Sequence, residues 1–413
     1  MSLTNVPSSE RLHIGFFGMR NAGKSSLVNA VTGQALSLVS DVKGTTTDPV
    51  KKAMELLPLG PVVIIDTPGL DDEGKLGEMR AARARQTLET VDIAVLVVDG
   101  EAGMRGEDRE LLALLEARKL PHIVCRSKCD RLNPRPPLAE NELYVSAVTG
   151  EGVHALKERL GRLTGSMQKE RLIVADLLSP GDPALLVVPV DEAAPKGRLI
   201  LPQQQTLREL LDHHMTAVVC QDTEVKATLS MLAVKPKLVI TDSQAFGRVS
   251  ADVPEDIPLT SFSILMARYK GSLETQLRGA AALARLEDGD KVLIAEGCTH
   301  HRQCNDIGSV KLPRWIEEYT GKKPSFAFCS GNEFPEDLSA FALVVHCGGC
   351  MLTEQAIRLR MGRAKDAGVP VVNYGVAIAL MHGVLQRSVA MLPGAAALLE
   401  SEKGQVLDGG DET

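Results

Sequence analysis

Two groups of residues in this 413-residue chain have types and spacing suited to chemistry: Gly18-x4-Gly23-Lys24-Ser25 near one end, and His346-Cys347-Gly348-Gly349-Cys350 near the other. The first has the spacing of a phosphate-binding loop between an apolar run and a helix-like stretch, the context that lifts this motif above a chance Gly-rich turn. Glycines let backbone N–H groups close around phosphate oxygens, and a helix N-terminus favours negative charge. Gly18, Asn21, Ala22, Gly23, Lys24, Ser25 and Ser26 are the expected cradle. Lys24 would reach the β- and γ-phosphates, and Ser25 would ligate Mg2+.

Downstream residues narrow the nucleotide to GTP or GDP. Asp66 and Gly69 of "DTPG" end a long apolar run, suited to Mg2+ through water and to sensing the γ-phosphate N–H to oxygen. "GTTTD" (44–48) offers Thr45 and Thr46, with Thr46 the expected switch ligand of Mg2+. "SKCD" (127–130) is similar to a guanine-reading Asn-Lys-x-Asp: Lys128 would flank the base, and Asp130 would accept two hydrogen bonds that adenine cannot offer. Ser146 and Ala147 would complete the base pocket. The catalytic set is then Lys24, Thr46, Asp66 and Gly69. Two positions depart from the pattern. Ser127 stands where Asn is usual, and its shorter side chain predicts a lost contact to base or loop, with weaker nucleotide affinity. Leu70 stands where a water-orienting Gln is found in Ras-like enzymes. Asn21 with the threonine switch resembles the TrmE-type GTPases, which implies a K+ ion at Asn21 acting as a fixed positive charge on the transferring phosphate.

The second group ends an apolar run. Cys298, Cys329, Cys347 and Asn373 all close such runs, and in a parallel sheet all strand C-termini share one edge. Cys298, His300, His346, Cys347 and Cys350 can therefore meet although far apart in sequence. Three thiolates and an imidazole suit a tetrahedral zinc site or an iron–sulfur cluster, and ligand type alone does not separate them. Cys304 or Cys329 could close the site as a fourth thiolate or stand beside it as a spectator. His301 reads as a loop residue, and Cys125, Cys129 and Cys220 read as small core hydrophobes.

The elements that must position these residues are α/β throughout. Short apolar runs alternate with helix-like stretches from about 11 to 165, again after "GSMQKERLIVADLLSPGDP" (165–183), which reads as a linker, and again from 260 to 402 beyond the Pro-rich "VPEDIPL" (253–259). The tail "GQVLDGGDET" reads as disordered. Net charge of −7 and 3% aromatics argue against a nucleic-acid partner. No basic-apolar leader and no membrane-length apolar run are seen, so the cytoplasm is expected, where cysteines serve as thiols or metal ligands rather than disulfides.

Cys-x-His, then His-Cys-x-x-Cys about fifty residues on, behind a GTPase-like region, resembles the HydF family of [FeFe]-hydrogenase maturation GTPases. "VPVDEAAPKGRLILPQQQTLRELLD", "LVITDSQAF" and "LTSFSILMARYKG" extend the likeness over nearly the whole chain. The resemblance implies an α/β protein of three domains: a TrmE/Era-like P-loop GTPase (1–167), a dimerisation domain (175–256), and a parallel-sheet domain (260–402) carrying a [4Fe-4S] cluster. It implies ligation by Cys298, Cys347 and Cys350, with His346 or, alternatively, His300 at an exchangeable fourth iron. It implies a homodimer or higher oligomer and a slow, K+-stimulated GTPase. It also implies a scaffold that takes a diiron CO/cyanide precursor assembled with the radical-SAM maturases HydE and HydG and passes it to the apo-hydrogenase HydA. The competing reading is a TrmE/Era-like GTPase acting on RNA, with a structural zinc domain.

Overall fold

The computed structural model describes residues 11–34, 50–68, 86–167, 171–190, 199–297, 307–331 and 333–408. The chain forms two compact units, Met1–Glu170 and Arg171–Thr413. In the first, strands β1 (Leu12–Phe17), β2 (Val50–Leu56), β3 (Gly60–Asp66), β4 (Ile93–Asp99), β5 (His122–Ser127) and β6 (Glu142–Tyr144) form one sheet in the order β2-β3-β1-β4-β5-β6. Only β2 runs antiparallel, against β3. Strand residues point alternately to opposite faces, so a parallel strand covered by helices on both sides is apolar at every position. β4 shows this: Ile93, Val95 and Val97 pack with Leu27, Val28 and Leu156 on one face, and Ala94, Leu96 and Val98 with Leu111 and Leu115 on the other.

The second unit holds two four-stranded parallel sheets. Strands β7 (Pro183–Val187), β8 (Thr216–Cys220), β9 (Leu238–Thr241) and β10 (Leu259–Ser261) are ordered β10-β9-β7-β8. Strands β11 (Lys291–Ala295), β12 (Ser325–Cys329), β13 (Leu343–His346) and β14 (Val371–Asn373) are ordered β12-β11-β13-β14. One apolar core serves both sheets: Leu185 and Ile240 of the first, Ile294 and Val345 of the second, and Leu265, Leu277 and Ile378 from helices Phe262–Tyr269, Leu273–Leu283 and Tyr374–Met381. The packing is close enough to require a glycine, because a Cβ on Gly279 would lie 1.9 Å from the Val371 carbonyl oxygen of β14.

Three stretches differ from their sequence reading. The supposed linker 165–183 is built into structure at both ends: helix Val153–Met167 covers its start, and Ile173, Val174 and Ala175 are buried. The Glu209 carboxylate accepts the N–H groups of those three residues at 2.8–2.9 Å, which anchors the entry to the second unit. The Pro-rich 253–259 stretch precedes β10, which pairs in register with β9, so the first sheet of this unit continues past it. The tail is helical as far as Asp408 within helix Ala395–Asp408, where Ala395 and Leu399 reach the core and start the helix on packed residues.

His13 of β1 gives the first unit an acid sensitivity. Its ring bonds the Thr90 carbonyl at 3.0 Å, and burial pushes its pKa down from 6.5 to about 4. The unfolded chain therefore binds a proton between those two values that the folded chain refuses, and stability falls as pH falls through that window. The full effect is about 3 kcal/mol. Urea titrations at pH 7 and pH 4 should show a loss in the wild type that exceeds the loss in His13→Gln by this order, and equal losses would remove His13 as the cause.

Candidate functional site

The first cluster of candidate residues lies at the C-terminal edge of the six-stranded sheet. Gly18 follows β1 with φ +143°, and a Cβ there would lie 2.1 Å from the Val97 oxygen of β4, so no other residue fits. Asn21 and Gly23 take left-handed φ values of +59° and +89°, folding the loop so that helix Lys24–Thr32 starts at its end. Ala22 is buried, while Asn21 is exposed at the loop tip and Ser26 is half-buried in the first helical turn. The Lys24 ammonium bonds the Gly18 and Met19 carbonyls at 2.9 and 2.7 Å, turned inward on the loop it belongs to. Ser25 Oγ donates to Asp66 Oδ2 at 2.6 Å, which brings the two expected Mg2+ partners together. Asp66 Oδ1 is buried and without a hydrogen bond among the described residues. A buried carboxylate oxygen lacking a donor suits a metal-bound water, so this pair fits Mg2+. Thr45, Thr46, Gly69 and Leu70 lie outside the described residues.

The base-pocket candidates converge at the ends of β5 and β6. Lys128 has φ +55° and its ammonium pairs with Asp99 Oδ2 at 2.6 Å. Asp130 is exposed in the short turn Cys129–Arg131, and the Ser146 hydroxyl beside it holds its carboxyl below the usual carboxylate range. Cys129 N–H bonds the Val145 oxygen at 3.2 Å, tying that turn to the Ser146-Ala147 loop, where Ser146 is buried and Ala147 half-buried. Ser127 corrects the sequence reading. Its hydroxyl lies 2.6 Å from the Ala22 oxygen and 3.1 Å from the Val98 oxygen, so the contact to the phosphate loop is kept despite the shorter side chain. A Cβ on Gly23 would stay 3.7 Å from Ser127 Oγ, so the hydroxyl does not depend on that glycine for room; the φ of +89° is what calls for glycine there.

The second cluster lies where the order of the last sheet switches, between the C-termini of β11 and β13, with Ala295 in register with His346. That crevice is where open α/β sheets bind ligands. Cys347 Sγ accepts N–H groups from Gly297 at 3.0 Å and Gly349 at 3.4 Å. Gly349 has φ +63°, and a Cβ on Gly297 would collide with Leu352 at 2.8 Å, so the glycines permit both donors. N–H groups on a sulfur favour its anionic, ligating form. Burial acts the other way and pushes the Cys347 thiol up to about 11, and Cys350 is raised by burial too. A cation arriving here must displace protons. The two thiols with their amide donors fit a metal or cluster edge. Cys329 closes β12 as a buried thiol pushed up to about 11 by burial. Cys298, His300, His301 and Cys304 lie outside the described residues, and among the described residues no three His, Cys, Asp or Glu side chains converge as a metal site.

His346 departs from its expected role. It is wholly buried, and both ring nitrogens are engaged: Nε2 with Arg360 at 2.9 Å and Nδ1 with the Cys347 oxygen at 2.7 Å. A guanidinium only donates, so Nε2 accepts and Nδ1 carries the proton. Burial and then the Arg360 charge push its pKa down to about 3. No lone pair is left for a metal in this arrangement. Sequence reasoning missed Arg360, which also bonds the Gly331 oxygen and stacks 5.0 Å over Phe334, and it missed Lys270, which bonds the Gly349 and Leu352 oxygens. A cation inside the apolar-stripe helix Glu354–Asp366 was the available signal for Arg360. It missed Asp108 as well, a buried carboxylate pushed up by burial that accepts the Arg105 N–H at 3.1 Å. Removing the Ser127 hydroxyl leaves the Ala22 carbonyl without its donor. Ser127→Ala should weaken GDP binding by about fivefold, read by fluorescent-nucleotide titration; unchanged affinity would make the contact incidental.

Three stretches match known families. Residues 13–128 match the 50S ribosome-binding GTPase family, residues 173–271 the Hydrogen maturase F dimerization domain, and residues 274–391 the Hydrogen maturase F tetramerization domain. The tRNA modification GTPase MnmE of Nitrosomonas europaea is 35% identical over 161 residues, covering 38% of this chain and 35% of that protein. Its counterpart from Xanthomonas oryzae pv. oryzae is 39% identical over 155 residues, covering 37% and 34%. The chain thus spans about a third of the length of the curated relatives it matches. Among solved structures, a probable GTP-binding protein engB aligns with a TM-score of 0.32 and 25% identity over 37% of this chain and 99% of that one. Era in complex with MgGDPNP and a segment of 16S ribosomal RNA aligns with a TM-score of 0.33 and 20% identity over 51% and 92%. With both Hydrogen maturase F domains in tandem behind a P-loop GTPase unit, together spanning most of its length, this chain belongs to the Hydrogen maturase F family.

Proposed function

We propose that this protein is a GTP-switched scaffold that receives a diiron precursor bearing CO, cyanide and a bridging dithiolate, and hands it to an apo-[FeFe]-hydrogenase. The observation that carries the reading is the Cys347 sulfur, bonded by two glycine amides at the switch point of the last sheet with Cys350 three residues away. In this reading Cys298, Cys347 and Cys350 hold a [4Fe-4S] cluster in the 260–402 domain. When bound, the cluster supplies an iron with an exchangeable position against which the cargo is held. Gly348 and Gly349 let the turn pack against Ser263 and Ile357, whose side chains fill the space a Cβ would need there. Of the two histidines considered for the fourth position, His300 is favoured, because His346 would have to give up its buried bond to Arg360.

On the GTPase side (1–167), Gly18, Asn21, Ala22, Gly23, Lys24, Ser25 and Ser26 cradle the phosphates, Ser25, Thr46 and Asp66 hold Mg2+, and Asn21 helps bind K+. Lys128, Asp130, Ser146 and Ala147 select guanine. With Leu70 in place of a glutamine, hydrolysis is slow and stimulated by K+, and it gates exchange of the partners HydE, HydG and HydA. The dimerisation domain (175–256) supports a homodimer, and the tetramerization match supports a higher oligomer. A thiolate-held cluster and its cargo suit a reducing cytoplasm. The relatives named as tRNA modification GTPases match only the GTPase part of the chain, so nothing specific favours RNA as substrate.

Two outcomes test this reading. Anaerobic reconstitution of Cys347→Ser should lose most of the iron and labile sulfide that the wild type takes up, whereas His346→Ala should keep a [4Fe-4S] signal by EPR. Full iron uptake by Cys347→Ser would exclude this thiol as a ligand. Asp130→Asn should exchange guanine for xanthine preference by about 3 kcal/mol or less, since the edge pairing is inverted; unaltered selectivity in competition binding would remove Asp130 from the pocket.

A further inference from the structure

Helix Phe262–Tyr269 belongs to the stretch that matches the dimerization domain, yet its end reaches the thiol turn of the following domain. Lys270 caps that helix and is 8% exposed. Its ammonium bonds the Gly349 oxygen at 2.5 Å and the Leu352 oxygen at 2.6 Å. Those carbonyls lie on either side of Cys350 in the chain, and Leu352 N–H also bonds the Gly349 oxygen at 3.0 Å. One cation therefore draws residues 349–352 into a closed turn. Directly after it, Thr353 Oγ1 accepts the Ala356 N–H at 3.2 Å and starts helix Glu354–Asp366. Helix Phe262–Tyr269 also brings Ser263 against Gly348: a Cβ on that glycine would lie 3.2 Å from Ser263 Oγ, a buried hydroxyl without a hydrogen bond among the described residues. The turn is thus gripped at one end by Gly297 on Cys347 and at the other by Lys270 around Cys350.

We propose that Lys270 is the positioning residue of the Cys347–Cys350 turn, holding both thiols in ligating register and placing a fixed positive charge beside the anionic group they bind. A buried ammonium is stable only when its donors are taken up by acceptors, and here the acceptors are the Leu352 oxygen and the Gly349 oxygen, the latter shared with the Leu352 N–H. Removing the charge has two consequences that a space-filling lysine would not produce. The turn loses its strap, and a thiolate-bound cluster loses an electrostatic partner that stabilises its more negative state. The second consequence rests on the cluster reading above; the first does not.

The test uses the full-length protein with Lys270→Met, which keeps length and apolar bulk, and Lys270→Arg, which restores charge and donors. In metal-free protein, hydrogen exchange of the 347–352 amides and maleimide labelling of Cys347 and Cys350 should each quicken by about tenfold in Lys270→Met, with β13 unaltered and Lys270→Arg close to wild type. After anaerobic reconstitution with iron and sulfide, the cluster midpoint potential of Lys270→Met should shift to more negative values, and Lys270→Arg should restore it. Unaltered exchange, labelling and potential would overturn the proposal. If Lys270→Met does not fold, acetic anhydride labelling of the wild type decides: Lys270 should resist while the exposed Lys226 and Lys235 react, and equal labelling would overturn it. A wild type that takes up no iron removes the cluster reading and leaves the exchange and labelling results to judge Lys270.

Discussion

A strand buried on both faces has nowhere to carry chemistry except its ends. This constraint organises the protein. Apart from β2, the strands in all three sheets run parallel, and the central ones are apolar at nearly every position, so polar groups gather where each strand stops and the chain turns toward a helix. β1 stops at Phe17, just before Gly18, β3 at Asp66, β5 at Ser127 and β13 at His346. The phosphate loop, the candidate Mg2+ carboxylate, the candidate base-pocket turn and the thiol turn are four outcomes of one packing rule.

At these strand ends the backbone supplies much of the chemistry, and glycine decides where it can. Gly18 passes against the Val97 carbonyl with no room for a side chain, and Gly297 presents its amide to the Cys347 sulfur for the same reason. The two sites share a further trait. In each, a buried lysine is turned onto loop carbonyls: Lys24 onto Gly18 and Met19, Lys270 onto Gly349 and Leu352. A charge-assisted hydrogen bond inside a protein is worth more than a neutral one, so a single ammonium can hold a glycine-rich loop that has few side-chain contacts of its own. In the proposed function Lys24 would exchange its carbonyls for phosphate oxygens. Lys270 is enclosed, which suits a permanent strap.

The second unit adds a structural reason for one polypeptide to carry both Hydrogen maturase F domains. One apolar core spans its two sheets, and the helix that ends the stretch matching the dimerization domain leads into Lys270, which bonds the thiol turn. The ion pair between Arg171 and Glu354 at 2.9 Å joins the first residue of this unit to the helix that follows the turn. Packing of this kind makes the thiol turn part of the folded body rather than a loop hung from its edge.

Much was legible in the sequence, for a physical reason. Period and composition decide which runs are strands, and glycines and prolines mark the turns, so the alternation of elements, the phosphate loop and the pairing of Ser25 with Asp66 followed from local pattern and from the rule that parallel strands end together. Partners of buried side chains depend instead on which distant elements the fold brings into contact. Nothing local to Ser127 says that its hydroxyl meets Ala22, and nothing local to His346 says that Arg360, on the next helix, occupies its second nitrogen. The same holds for Lys270 and for Glu209, whose carboxylate turned an apparent linker into an anchored entry. Sequence determined which residues stand at strand ends; tertiary structure decided which of them have hydrogen-bonding capacity left to spend on a ligand, because that depends on every neighbour the fold packs around them.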